Sequence, residues 1–196
     1  MNQKGFTLVE LAIVLVIIGV ILGGVIKGQE LVTNAKIKRL YRDYQQVEFA
    51  YFSYQDRYNA LPGDRAGDDD GIIESGVAAD TVGGVTSTED LVFWDALRDS
   101  GFLKDGLSTI ALPKNAFDGD ITVGNAGGSA TAYAGLTTNV VCLAGLDYEL
   151  AEIFDAQFDD GVVGTGQIRG TQADFTVGTY TSTTPAVVSC ISLDGE

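Results

Sequence analysis

The chain has 196 residues, 12 basic and 27 acidic, a net charge of −15, two cysteines and no histidine; that length suits one globular domain plus a terminal element. Without histidine there is no Ser–His triad, and two cysteines alone fall short of a zinc set, so catalysis of those kinds is excluded and no enzyme is expected. The acidity would repel phosphate backbones, so no nucleic-acid partner is expected either.

The first thirty residues read MNQKGFTLVELAIVLVIIGVILGGVIKGQE. From Phe6 to Ile26 the one charged side chain is Glu10. A helix over that run is about 31 Å long, enough to cross a bilayer core. A lone carboxylate near one end of such a span is costly and by default has a partner. A secretory signal would have a shorter apolar core and a small-x-small cleavage site, which Val25-Ile26-Lys27 does not provide. Length and Lys4 alone also fit an ordinary single-span anchor.

The anchor reading leaves the order Gly-Phe-Thr-Leu-Val-Glu unexplained. KGFTLVE (Lys4–Glu10) ahead of an aliphatic run resembles the amino terminus of type IV prepilins and of the pseudopilins of type II secretion. The resemblance implies that a membrane-embedded prepilin peptidase and methyltransferase cuts after Gly5 and methylates the new amino terminus on Phe6. It also implies that Glu10 neutralises the terminal amine of a neighbouring subunit in a fibre. A buried charge is tolerated mainly beside an opposite one, so such a pair would set the axial step of assembly.

Charge is unevenly spread. Residues 1–66 hold 8 basic and 6 acidic side chains, and residues 67–196 hold 4 and 21, a net of −17. Lys4 keeps the short leader cytoplasmic and places the rest beyond the membrane. In that oxidising setting Cys142 and Cys190 read as one disulfide, with two buried thiols as the alternative. In pilins a disulfide near the carboxyl terminus bounds a surface-exposed region, and this pair has the matching placement.

Residues 27–58 continue the helix. Ile37, Leu40, Tyr44, Val47, Tyr51, Tyr54 and Tyr58 recur at steps of three and four from Leu40 onward, which places them on one face. Tyr41, Phe49 and Phe52 fall off that stripe and are candidates for subunit contacts. Gly19, Gly23, Gly24 and Gly28 read two ways: as close-approach positions in a helix bundle, or as a place where the helix loosens on assembly.

The helix is expected to stop at Asn59-Ala60-Leu61-Pro62-Gly63-Asp64, and Ala60–Asp64 resembles a segment of LPGD-type pilin-like proteins. The acidic run Asp68-Asp69-Asp70-Gly71-Ile72-Ile73-Glu74 lacks both end ligands of an EF-hand. It reads as a solvated loop, with a looser calcium site on Asp64, Asp68, Asp70 and Glu74 as the alternative cofactor reading. Ser87-Thr88-Glu89-Asp90 fits a capping box opening a second helix, with Leu91, Trp94 and Leu97 on one face and Gly101 at its end. Residues 107–113, 119–124, 129–144 and 173–192 read as antiparallel strands. Leu146 to Phe158 reads as a short helix using Tyr148, Leu150, Ile153, Phe154 and Phe158 as apolar contacts. Asp155, Asp159 and Asp160 at its end read as turn formers, with oxygens for an ion as the alternative.

The expected fold is therefore α+β and pilin-like: a long amino-terminal α-helix packed on an antiparallel β-sheet head with one disulfide. Its parts are a cleaved leader (1–5), an assembly helix (6–58) and a head (59–196). The expected function is a structural subunit of a homo-oligomeric type IV pilus-like or type II secretion filament. ATP-driven inner-membrane machinery would move it from the bacterial inner membrane to the cell surface or a periplasmic pseudopilus. Two alternatives stay open: a minor pilin with an adhesive or calcium-responsive head, and a membrane-tethered extracytoplasmic enzyme or sensor.

Overall fold

A computed structural model describes residues 5, 7–64, 71–73, 78–82, 85–106, 111–125, 136–172 and 187–194. In chain order the elements are α1 (Leu8–Tyr58), β1 (Ala78–Val82), β2 (Val85–Thr88), α2 (Glu89–Asp99), β3 (Ile121–Gly124), β4 (Val140–Leu146), α3 (Tyr148–Phe158), β5 (Ile168–Gln172) and β6 (Val187–Ser192). Two compact units result, residues 1–38 and residues 39–196.

The first unit is helical from Leu8 onward, and its large apolar side chains from Leu8 to Ile26 are all exposed. Gly19, Gly23, Gly24 and Gly28 lie within the continuous helix, and a Cβ at any of them would meet no other atom. The isolated subunit therefore displays no break at these positions.

In the second unit the expected stripe is buried at Leu40, Tyr44, Val47, Tyr51 and Tyr54 but stops short of Tyr58, which is exposed. Asn59, with φ of 51°, ends α1 in the left-handed conformation, its N–H donating to Gln55 O, as a short polar side chain permits at a helix terminus. Tyr41 makes an internal contact, its ring stacking on Phe158 at 4.1 Å, and is half-buried. Phe49 and Phe52 do remain exposed.

Two sheets form. β1 and β2 make an antiparallel hairpin, and the larger sheet has the order β3-β4-β6-β5 with antiparallel neighbours throughout. β4 and β6 occupy its centre, and β6 is buried along its whole length. Strand bounds depart from expectation. Residues 111–113 and 136–139 are not strand, β5 and the β1–β2 hairpin were not anticipated, and 107–110, 129–135 and 173–186 lie outside the described residues.

The disulfide joins Cys142 of β4 to Cys190 of β6, which face each other in register. Both are fully buried and cluster with Leu136, Val140 and Val188, so the bridge itself lies within the sheet.

α2 starts one residue later than a Ser87 cap requires. Thr88 is its N-cap and its side chain makes no capping bond, and with Leu91 three residues on there is no Glu or Gln to reach back to the Thr88 N–H. Val92 through Leu97 are all buried, so α2 is enclosed rather than one-faced. In α3 the Asp147 carboxylate caps Leu150 N at 2.8 Å. Ile153, expected as an apolar contact, is instead 40% exposed.

Candidate functional site

The amino-terminal segment is built around Thr7 and Glu10. Glu10 Oε2 accepts from Thr7 N–H at 2.8 Å and from Thr7 O–H at 2.8 Å, and Glu10 N–H faces Thr7 Oγ1 at 3.3 Å. This is a capping box: Thr7 opens the helix, and the carboxylate three residues on reaches back to it. The pattern Thr-x-x-Glu was legible in the sequence and was overlooked there. Both Thr7 bonds fall on Oε2, and Oε1 has no partner among the described residues. Gly5 is exposed, and Phe6 lies outside the described residues.

Beyond Glu10, as far as Ile26, the helix offers apolar surface that no described residue covers, from 46% exposure at Ile18 to 73% at Val20. Burying side chains of this size against lipid or protein gains roughly 1.5–3 kcal/mol each over leaving them in water. The first polar contact on the helix after that run is the exposed Lys27–Glu30 pair, worth under about 1 kcal/mol.

The acidic loop residues are only partly placed. Asp68, Asp70 and Glu74 lie outside the described residues. Asp64 is 6% exposed, and its Oδ2 accepts from Gly71 N–H at 3.0 Å. Gly63 beside it has φ of 92°, and a Cβ there would lie 2.7 Å from Glu89 O. In Leu61-Pro62-Gly63-Asp64 the glycine therefore lets α2 approach, and the aspartate holds the Gly71 N–H.

Asp155, Asp159 and Asp160 bring carboxylate oxygens within 4.8 Å of one another. Each also accepts hydrogen bonds from its own turn. Asp155 takes Gly161 N–H at 3.1 Å, Asp159 takes Ile168 N–H at 2.7 Å, and Asp160 takes Val162 N–H at 2.8 Å and Thr165 O–H at 2.6 Å. The Thr165 hydroxyl, then the Val162 amide, holds the Asp160 carboxyl below its ordinary range. This is the chemistry of a turn that feeds β5.

Sequence reasoning also missed a polar hub at Asn139, which is 2% exposed. Its Oδ1 accepts from Ile73 N–H at 3.0 Å and Asn125 Nδ2 at 3.1 Å, while its Nδ2 donates to Gly71 O at 3.0 Å and Tyr51 Oη at 3.3 Å. Its main chain meets Asp194 Oδ2 and Leu193 N–H. No local pattern marks such a residue, because its partners lie far away in sequence.

Residues 1–26 match the prokaryotic N-terminal methylation motif. Among solved structures, the major type IV pilin PilA1 from Clostridium difficile is similar, with a TM-score of 0.41 and 14% identity, covering 83% of this chain and 97% of that one. That likeness is too slight to carry an argument. No curated protein matches the chain.

Proposed function

We propose that this chain is a structural subunit of an extracytoplasmic filament, a type IV pilus or a type II secretion pseudopilus. The observation that carries the reading is an N-terminal methylation motif leading straight into a helix whose apolar surface is bare from Leu8 to Ile26. Such a surface is covered by lipid before assembly and by other copies afterwards. Residues 1–5 are the leader removed by a prepilin peptidase, residues 6–58 the assembly helix, and residues 59–196 the head. The subunit waits in the bacterial inner membrane and is moved outward by ATP-driven machinery.

The capping box supports a two-part role for Glu10. Before assembly, Thr7 supplies two donors to Oε2, which lowers the cost of holding a carboxylate in lipid. Cleavage after Gly5 then creates an amine on Phe6 of each copy. In the filament that amine approaches Oε1 of a neighbour, and only the correct axial step brings the two together.

The test is the chemistry of the mature terminus together with the state of the protein. Mass spectrometry is expected to find N-methyl-Phe6, and sheared fibres are expected to contain the chain. Glu10→Val is expected to insert and be processed but to yield few fibres. An intact Met1 on a chain that stays monomeric in native membranes would sink the proposal.

A further inference from the structure

One face of α1 within the 39–196 unit is left exposed among the described residues. Arg42, Gln45, Phe49, Phe52 and Asp56 follow at steps of three and four and are all exposed, Phe49 at 71%. Beside them lies a groove of about 480 Å³ between α1 and the loop that follows α2, floored by Phe49, Phe102 and Leu103 and rimmed by Arg42 and Lys104. A second hollow, of about 520 Å³, continues along Phe49 and Phe52 and is bordered by the carboxylates Glu48 and Asp56, so the cations lie at the first groove alone. Exposed aromatics beside cations are the composition of a docking site rather than of a solvated helix face.

The loop that carries Lys104 is fixed. Arg98 forks onto Asp105 at 3.0 and 2.8 Å and also donates to Ala111 O at 2.5 Å. Asp105 lies by the groove, but its carboxylate is committed to Arg98. Residues 67–196 contain four cations. Arg98 is held by Asp105, Lys114 by Asp120, and Arg169 by Gly166 O. Lys104, alone of the four among the described residues, makes no such bond and is exposed on the rim.

The same unit carries the complement. Outside α1, the large apolar side chains exposed among the described residues are Ile153 and Val162. Ile153 sits on α3 beside Glu149 and Glu152, both exposed, and the last turn of α3 has no basic residue. With a net charge of −17 over residues 67–196, two heads repel in most orientations. An aromatic groove with a cationic rim and an aliphatic knob flanked by carboxylates attract.

We infer that the Phe49 groove is the docking surface for the α3 face of a second copy of this chain. Ile153 enters against Phe49 and Phe102, and Glu152 faces Lys104. The two patches differ, so the contact is heterologous and repeats from copy to copy instead of closing on itself as a two-fold pair. The inference deepens the filament reading and rests on it.

Charge exchange in the full-length chain tests it, read as sheared-fibre yield with processing and melting temperature as controls. Lys104→Glu and Glu152→Lys are each expected to cut the yield at least about tenfold, with the mature terminus and melting temperature unchanged. The double exchange is expected to restore the yield to within about twofold. Parental yields in both single variants, or no recovery in the double, would overturn the contact while leaving the filament reading intact. A second variant, Phe49→Cys with Ile153→Cys, is expected to give a ladder of cross-linked multimers when intact fibres are oxidised; monomers alone would overturn the contact. A parent chain that is unprocessed and forms no fibres would overturn the filament reading, and this inference with it.

Discussion

Asn139 shows how one buried side chain can hold distant segments together. Its amide satisfies Ile73, Gly71, Asn125 and Tyr51 at once, and its main chain ties down Leu193 and Asp194. Removing it strands several donors and acceptors, each costing about 1–3 kcal/mol if left unsatisfied. Asn139→Ala is therefore expected to lose roughly 2–4 kcal/mol, read from the urea midpoint of the detergent-solubilised chain. A loss below about 0.5 kcal/mol would mean that the network carries no weight. Asp43 is the opposite case. Burial is the main influence raising its carboxyl above the ordinary range, against the pull of Arg39 and Arg42, and its Oδ2 is buried without a hydrogen bond. A folded pKa above the unfolded one means that the folded state holds the proton more readily. The penalty is thus present at neutral pH and disappears as pH falls below the unfolded value, about 3.9. Asp43→Asn is expected to stabilise by up to about 1 kcal/mol at pH 7, with the gain fading towards pH 3. A gain independent of pH would point to some cause other than charge.

At the scale of elements, legibility followed periodicity. The α1 stripe repeats every three or four residues and is buried as expected from Leu40 to Tyr54. α3 announced itself by its apolar residues, whereas its capping aspartate, Asp147, emerged only in the structure. What escaped notice was structure made by pairing rather than by pattern. β5, Ile168-Arg169-Gly170-Thr171-Gln172, has no apolar alternation and is a strand because β6 lies beside it. The β1–β2 hairpin is likewise poor in large apolar residues. Cysteine spacing allowed a bridge but could not tell that Cys142 and Cys190 would be register partners deep in the sheet. Closing a loop of 48 residues is worth roughly 4 kcal/mol in the chain-entropy account. Cys142→Ala with Cys190→Ala is therefore expected to lower the melting temperature by about 8–15 °C. A shift under about 2 °C would show that the sheet holds this register unaided. The turn carboxylates lead to a further expectation. Asp64, Asp155, Asp159 and Asp160 all accept from nearby backbone N–H groups, so a chelator is expected to leave the melting temperature unchanged. A fall reversed by calcium, and absent from Asp70→Ala, would instead favour the cation reading of the Asp64–Glu74 loop.

At the scale of the molecule, the filament proposal gives Glu10 a place in two structures at different times, and two substitutions separate those roles. In the single chain the carboxylate caps its own helix through Thr7. In the filament it is to face a foreign amine. Gln at position 10 keeps an oxygen for both Thr7 donors but carries no charge, whereas Val removes the acceptor as well. Removing one member of a buried ion pair typically costs about 3–5 kcal/mol, because the remaining charge is left uncompensated. Glu10→Gln is therefore expected to insert and be processed like the parent while its fibre yield falls at least tenfold, since 1.4 kcal/mol already corresponds to about a factor of ten. Glu10→Val is expected to match that yield and in addition to fray at the start of α1, seen as faster amide exchange at Leu8 and Val9. If Glu10→Gln assembled as well as the parent, the cap alone would explain the residue. The axial step of the fibre would then have to come from the heads.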